Sequence, residues 1–246
     1  MVDHSFADPS LAALYDTLNP WGPGDDFYLD LVMSAGSVLD VGCGTGHLLR
    51  RAREEGHRGR LMGLDPAAAM LVQARRSAAD VEWVLGDLRT RLWAGEFDLV
   101  VMTGHTFQVL LSDEELRVCL RAVRSALTPG GHFAFETRNP AARAWQSWSP
   151  DRPRDITAPD GTPVRVRHEL RPGTPTADRV TFTETYETPS WPRPRVSRTT
   201  LRFLPPKPLS NFLEEANLTV TEQYGDWRRG PITEASPEIV TVARAG

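Results

Sequence analysis

Residues 38–48, VLDVGCGTGHL, set three glycines within five positions directly behind an apolar run. Such a run reads as a strand buried on both faces, and the glycines let backbone approach a ligand without Cβ interference. The pattern then repeats along the chain. Residues 37–41, 60–64, 81–85, 97–102 and 132–136 read as strands, and 46–55, 66–77 and 112–127 as helices. Pro66 suits a first helical turn, Ser112 with Glu115 forms a capping box, and Pro129-Gly130-Gly131 is a stop. Strands alternating with helices over short connections predict a parallel sheet covered on both faces.

The rhythm is framed by two other textures. Residues 10–18 and 25–33 predict short amphipathic helices, so 1–35 reads as an N-terminal helical cap. Residues 150–208 are rich in proline, arginine and threonine, and 164–170, 179–187 and 195–203 alternate apolar with polar side chains. That alternation predicts antiparallel strands exposed on one face, a β-rich insert within one domain spanning 1–246. A helix at 209–216 and strands at 218–223 and 238–243 complete the chain.

Bulk properties narrow the function. A formal net charge of -4 gives no long-range field to gather nucleic acid. Two cysteines, Cys43 and Cys119, make no disulfide framework, the N-terminus lacks a signal-peptide pattern, and no stretch approaches a membrane span. A soluble cytoplasmic protein without a bound metal, DNA or membrane partner is the expectation.

The glycine loop disfavours one familiar ligand. A dinucleotide fingerprint is G-x-G-x-x-G, but the third glycine here is Gly46 and position 47 is histidine. Asp40 sits inside the buried strand, where a carboxylate is costly unless it meets a cation. It would repel a pyrophosphate and attract an ammonium. Asp65 follows the second strand, 19 residues after Gly46, where a carboxylate can accept from two ribose hydroxyls.

VLDVGCGTGHL, with LD at 64–65, GDL at 86–88, FDLVV at 97–101 and LTPGGHF at 127–133, resembles the class I S-adenosylmethionine-dependent methyltransferases. The resemblance covers about 36–137 and 208–244 and implies a Rossmann-like, seven-stranded, mostly parallel sheet with helices on both faces. The β insert would lie between strand five and the helix that follows. It also implies S-adenosylmethionine as cofactor. Asp40 would hold the methionine ammonium, and the backbone of Gly42, Cys43, Gly44 and Gly46 would line the methionine moiety. Asp65 would take the ribose, with Pro66 and Met70 beside the adenine. Gly86, Asp87 and Leu88 would edge the adenine, Thr103 and Gly104 would lie under the sulfonium, and Tyr15 would fold over the cofactor.

The acceptor side is less determined. The stretch TGHTFQVLL after the fourth strand lacks the acid-or-asparagine, Pro-Pro-aromatic motif of amino-methylating DNA enzymes, and resembles small-molecule methyltransferases instead. His105 is the candidate general base, because imidazole titrates near neutral pH; the alternative is a histidine that holds the loop. Glu136, Arg138 and Asn139 follow the fifth strand at the same edge and are substrate candidates. Trp148 and Trp191 are candidates to wall an organic acceptor, or else form the insert's own core with Trp145. The insert's other role would be to join two copies of the chain. The reading is methyl transfer to O or N of a small molecule. A protein or RNA acceptor, an NAD-dependent oxidoreductase and a cofactor-binding module without transfer are the rivals.

Overall fold

Whether a strand is covered on one face or two decides where it settles in this chain. In a computed structural model describing residues 3–78 and 80–246, the N-terminal segment forms α1 (His4–Ala7), α2 (Pro9–Ala12), α3 (Tyr15–Leu18) and α4 (Pro23–Met33). The helix expected over 10–18 is thus two short ones, and Asp8 caps α2 by accepting from the backbone of Ser10 and Leu11.

The repeating units follow as β1 (Ser37–Val41), α5 (His47–Glu54), β2 (Arg60–Asp65), α6 (Ala68–Ser77), β3 (Glu82–Leu85), β4 (Phe97–Met102), α7 (Asp113–Ala126) and β5 (Leu127–Arg138). The insert supplies β6 (Arg154–Thr157), β7 (Pro163–Leu170), β8 (Arg179–Glu187) and β9 (Arg195–Arg202). The chain closes with α8 (Pro206–Glu215), β10 (Leu218–Tyr224) and β11 (Glu238–Ala245).

Among the described residues the main sheet has seven strands in the order β10-β11-β5-β4-β1-β2-β3. β11 runs antiparallel to both its neighbours, and the pairs within β3-β2-β1-β4-β5 are parallel. Two apolar layers sandwich this sheet. Val38, Leu61, Leu99 and Ala134 meet Phe27, Tyr28 and Val32 of α4 and Leu48 and Leu49 of α5. Leu39, Val100, Phe133 and Phe135 meet Leu116, Leu120 and Val123 of α7 and Leu209 and Leu213 of α8. Phe107, expected as a packing residue, stacks on Phe135 at 4.3 Å and is fully enclosed.

Two expectations need correction. Pro129-Gly130-Gly131 does not stop the chain before a strand; β5 begins at Leu127 and bulges there, with Phe97 facing Leu127 but Leu99 facing His132. Pro66 is not in the first turn of α6, which starts at Ala68. The Asp65 carboxylate accepts from the Ala67 backbone at 2.7 Å and holds residues 65–67 as a separate turn.

The insert is a four-stranded antiparallel sheet, β6-β7-β8-β9. Its inner face bears Val164, Val166 and Tyr186, which pack on Leu11 and Leu14 of the N-terminal helices. Ser197 and Thr199 of β9 reach the same segment: the Ser5 backbone donates to Ser197 Oγ at 2.9 Å, and Thr199 Oγ1 donates to Asp3 at 2.7 Å. Arg195 pairs with Asp8. The N-terminal cap and the insert therefore clasp each other across the carboxyl edge of the main sheet. No helix among the described residues is long and apolar enough to cross a membrane.

Candidate active site

Three parallel strands end side by side at that edge, and the loops after them build one basin. The loop after β1 carries Gly42, Gly44 and Gly46, all with positive φ. Gly46 is the position where close approach is obligatory. Its φ is 74°, and a Cβ there would stand 2.2 Å from the Trp83 ring. The tight helix-on-strand contact thus belongs to Gly46, while the His47 ring stands edge-on to Trp21 at 5.0 Å. Gly46→Ala should cost about 3 kcal/mol from strain and overpacking together, lowering the melting midpoint by roughly 10 °C. A thermal melt that moved by less than a degree or two would contradict this placement.

Asp40 is 1% exposed, and its Oδ1 has no hydrogen-bond partner among the described residues. Burial, then the charges of Asp65 and Glu136, push its pKa up to about 8. An enclosed carboxylate oxygen without a partner suits an ammonium group, the chemistry Asp40 needs to be tolerated in β1. Asp65, at the end of β2, accepts from Gly44 N at 2.9 Å as well as from Ala67 N. Both oxygens are anchored by backbone and keep lone pairs for further donors. Burial raises the Asp65 pKa, and those two backbone hydrogen bonds oppose the rise.

Tyr15 closes the basin. A Cβ at position 104 would lie 3.4 Å from its hydroxyl, and one at position 44 would lie 3.9 Å from its ring. The ring therefore bridges the loops after β1 and β4, and Met70 packs beside it on Gly44. Asp16, which the sequence reading passed over, accepts from Thr45 Oγ1 and latches the N-terminal cap to the glycine loop. The Cys43 side chain turns away from the basin and packs with Leu71, Ala74 and Trp83, leaving only its backbone in the loop; burial pushes its thiol pKa well up.

The adenine candidates divide. Gly86 begins the turn after β3 at φ 152°. Asp87 is held by Arg89, which donates from Nη2 at 2.6 Å and from its backbone at 2.9 Å, and these contacts lower the Asp87 pKa. The Leu88 side chain enters the core against the sheet instead of facing the basin.

Thr103 and Gly104 follow β4. The Thr103 carbonyl accepts from Thr106 Oγ1 at 2.7 Å, tightening a turn in which His105 adopts a left-handed conformation, φ 63°. This conformation is uncommon for a residue with a side chain. Glu136 stabilises it by accepting from His105 N at 2.7 Å and takes the Tyr28 hydroxyl on its other oxygen. Burial raises the Glu136 pKa, with the neighbouring His105 as the leading opposing influence. His105 Nε2 lies 3.0 Å from Glu238 Oε2 at the start of β11. Glu238 was invisible to sequence reasoning, since only the antiparallel register, which sets it opposite Arg138, brings it here.

The remaining acceptor-side candidates separate too. The Asn139 side-chain amide donates to the carbonyls of Thr233 and Ser236, at 2.9 and 3.0 Å, and its Oδ1 accepts from Ala141 N. It is a structural knot, not an exposed contact. Trp191 packs on the cluster that joins the insert to the N-terminal helices, with Arg195 4.3 Å above its ring. Trp148 packs on the insert's own core with Trp145, Val180, Phe182 and Phe203, and its ring also lies under the Arg138 guanidinium, at 5.5 Å.

Comparison with known proteins places this geometry. Residues 38–131 match the methyltransferase domain family. A cypemycin N-terminal methyltransferase from a Streptomyces species is 29% identical over 84% of this chain and 82% of its own length. The dTDP-3-amino-3,4,6-trideoxy-alpha-D-glucopyranose N,N-dimethyltransferase of Streptomyces venezuelae is 34% identical over 63% of this chain and 65% of its own. In fold, the CcbJ methyltransferase of Streptomyces caelestis superposes with a TM-score of 0.76, covering 98% of each chain at 22% identity. The match spans the strands and loops that carry Asp40, the glycines, Asp65, Asp87 and Thr103. Residues 38–131 thus match a methyltransferase domain, set in a chain that has the fold of the solved methyltransferases.

Proposed function

We propose that the protein transfers a methyl group from S-adenosylmethionine to an oxygen or nitrogen of a small organic acceptor by in-line displacement. The observation that carries this reading is the presence, at one sheet edge, of Asp40, whose Oδ1 has no partner among the described residues, and of His105 backed by Glu238. The cofactor supplies an activated methyl on a sulfonium centre. Asp40 holds its ammonium, Asp65 its ribose hydroxyls, and Tyr15 covers it and excludes water. Of the relatives named above, the dTDP-amino-sugar enzyme is by its name an N,N-dimethyltransferase, which supports an amine acceptor.

His105 then has a defined role. Glu238 accepts from Nε2–H and so fixes the tautomer that leaves Nδ1 as a lone-pair base. Nδ1 has no protein hydrogen-bond partner among the described residues. An ammonium must lose a proton before it can attack, and an imidazole at the acceptor edge takes it. His105→Ala should lower kcat about 100-fold while S-adenosylmethionine affinity changes less than about twofold. Glu238→Gln should lower kcat less and alter its pH profile. Equal kcat in wild type and H105A would return His105 to loop support.

Isothermal calorimetry with S-adenosylhomocysteine and with NAD tests the cofactor assignment, and tight binding of NAD alone would overturn it. A radiolabelled methyl-transfer screen over amine and hydroxyl metabolites tests the acceptor class. Transfer only to a folded protein or an RNA would reject the small-molecule reading.

A further inference from the structure

Arg138, the last residue of β5, differs from the other arginines enclosed in this fold. Arg202, with its side chain 11% exposed, is paired with both Asp113 and Asp178. Arg53, 17% exposed, reaches the carboxylate of Asp80 and the carbonyl of His57. Arg138 lies beneath the insert, where burial pulls its pKa down, yet it makes no ion pair among the described residues.

Its contacts define which part of the guanidinium is committed. The backbone N and Nη1 both donate to Gln108 Oε1, each at 3.2 Å. Gln108 is 1% exposed and donates in turn to the Arg202 carbonyl at 2.8 Å, so its amide cannot swing away. The Trp148 ring backs one face of the guanidinium, and Trp148 itself leans on Phe182 of the insert at 4.6 Å. The acids nearest in the chain and the ladder, Glu136 and Glu238, help keep Arg138 ionised by charge alone. Glu136 has both oxygens engaged, by Tyr28 and His105 N, and Glu238 gives Oε2 to the His105 ring; neither acid forms an ion pair with Arg138 among the described residues. The Nε–Nη2 edge is left with no protein acceptor among the described residues. That edge presents two parallel N–H groups, the geometry that takes both oxygens of one planar or tetrahedral oxyanion.

We propose that Arg138 is the anchor for an oxyanion carried by the methyl acceptor, a carboxylate or a phosphate, with Trp148 supporting the neighbouring carbon framework. This rests on the methyltransferase reading and adds to it the acceptor's charge. The anchor and the base share one wall, because Glu238 faces Arg138 in the β5–β11 register and bonds His105. The acceptor's nucleophile is thereby set near His105, with its anionic group one strand pair away.

The test uses the whole chain loaded with S-adenosylhomocysteine and four probes of similar size: benzoate, phenyl phosphate, benzylamine and benzyl alcohol. Calorimetry should show saturable binding of benzoate or phenyl phosphate, at least tenfold tighter than either of the other probes. Whichever anion binds tighter identifies the oxyanion. Arg138→Gln should weaken it tenfold or more with S-adenosylhomocysteine affinity unchanged, and Arg138→Lys should restore only part of the loss. The ranking of probes on the wild type stands even if a variant misfolds. No anion saturation up to about 50 mM, or benzylamine binding as tightly as both anions, would overturn the proposal. Failure of S-adenosylhomocysteine to bind would instead sink the cofactor assignment, and the same titrations on the unloaded chain would still decide the role of Arg138.

Discussion

Asp65→Ala should weaken S-adenosylmethionine binding about a thousandfold, as read by calorimetry, and leave the chain folded. Two effects add. A carboxylate taking two ribose hydroxyls contributes about 1.5–3 kcal/mol per charged hydrogen bond, and each 1.4 kcal/mol is tenfold. The same carboxylate also accepts from Gly44 N and Ala67 N, so its removal frees the glycine loop that it anchors. Asp65→Asn keeps one acceptor oxygen and should lose less, about tenfold to a hundredfold. Unchanged affinity in Asp65→Ala would remove the ribose assignment, whatever the fate of the other residues.

The second large effect is one of pH. Asp40 has its folded-state pKa raised to about 8, well above the ordinary 3.8, by burial and then by Asp65 and Glu136. In the cofactor-free protein it is therefore protonated at neutral pH. That protonation stabilises the fold fully below about pH 3.8, and the contribution is lost as pH rises through about 8. An ammonium at Oδ1 favours the ionised form, so binding must displace the proton. Affinity should accordingly fall about tenfold for each pH unit below 8, or about a hundredfold between pH 8 and pH 6. Calorimetry in buffers of different ionisation enthalpy should show close to one proton released near pH 6.5. Asp40→Asn should flatten this dependence and bind about a thousandfold more weakly at pH 8.5, since it leaves an enclosed ammonium without its counter-charge. A flat profile in the wild type would contradict the ammonium role.

How much of this was legible depends on the range of the interaction. The parallel units were readable because each strand of the sheet's centre is apolar on both faces, as in Val38-Leu39 and Leu99-Val100-Val101. β6 went unread: Arg154–Thr157 has three polar residues around Ile156 and shows no alternation by itself. The bulge in β5 was read as a stop because proline and two glycines suit either, and only pairing to β4 decides. In the site, the places of Asp40, Asp65 and the glycines were legible since they are set by local strand-loop-helix geometry. Glu238 was not, because its contact with His105 spans 133 residues and depends on strand register. Asn139 and Trp191 show the converse. Position after a strand or within the insert was readable, but the partners that occupy their side chains, Thr233 and Ser236 for one and Arg195 for the other, were not.

The antiparallel course of β11 also bears on how the protein can be handled. Because that strand enters the sheet at the reactive edge with Glu238, it leaves at the opposite edge, where Arg124 donates to the carbonyl of Gly246. A purification tag or surface tether joined after Gly246 emerges far from His105 and Arg138. One joined ahead of Asp3 emerges beside Thr199, at the clasp that roofs the basin. Held by a tether after Gly246, the chain leaves the edge that carries Asp40, His105 and Arg138 facing away from the support.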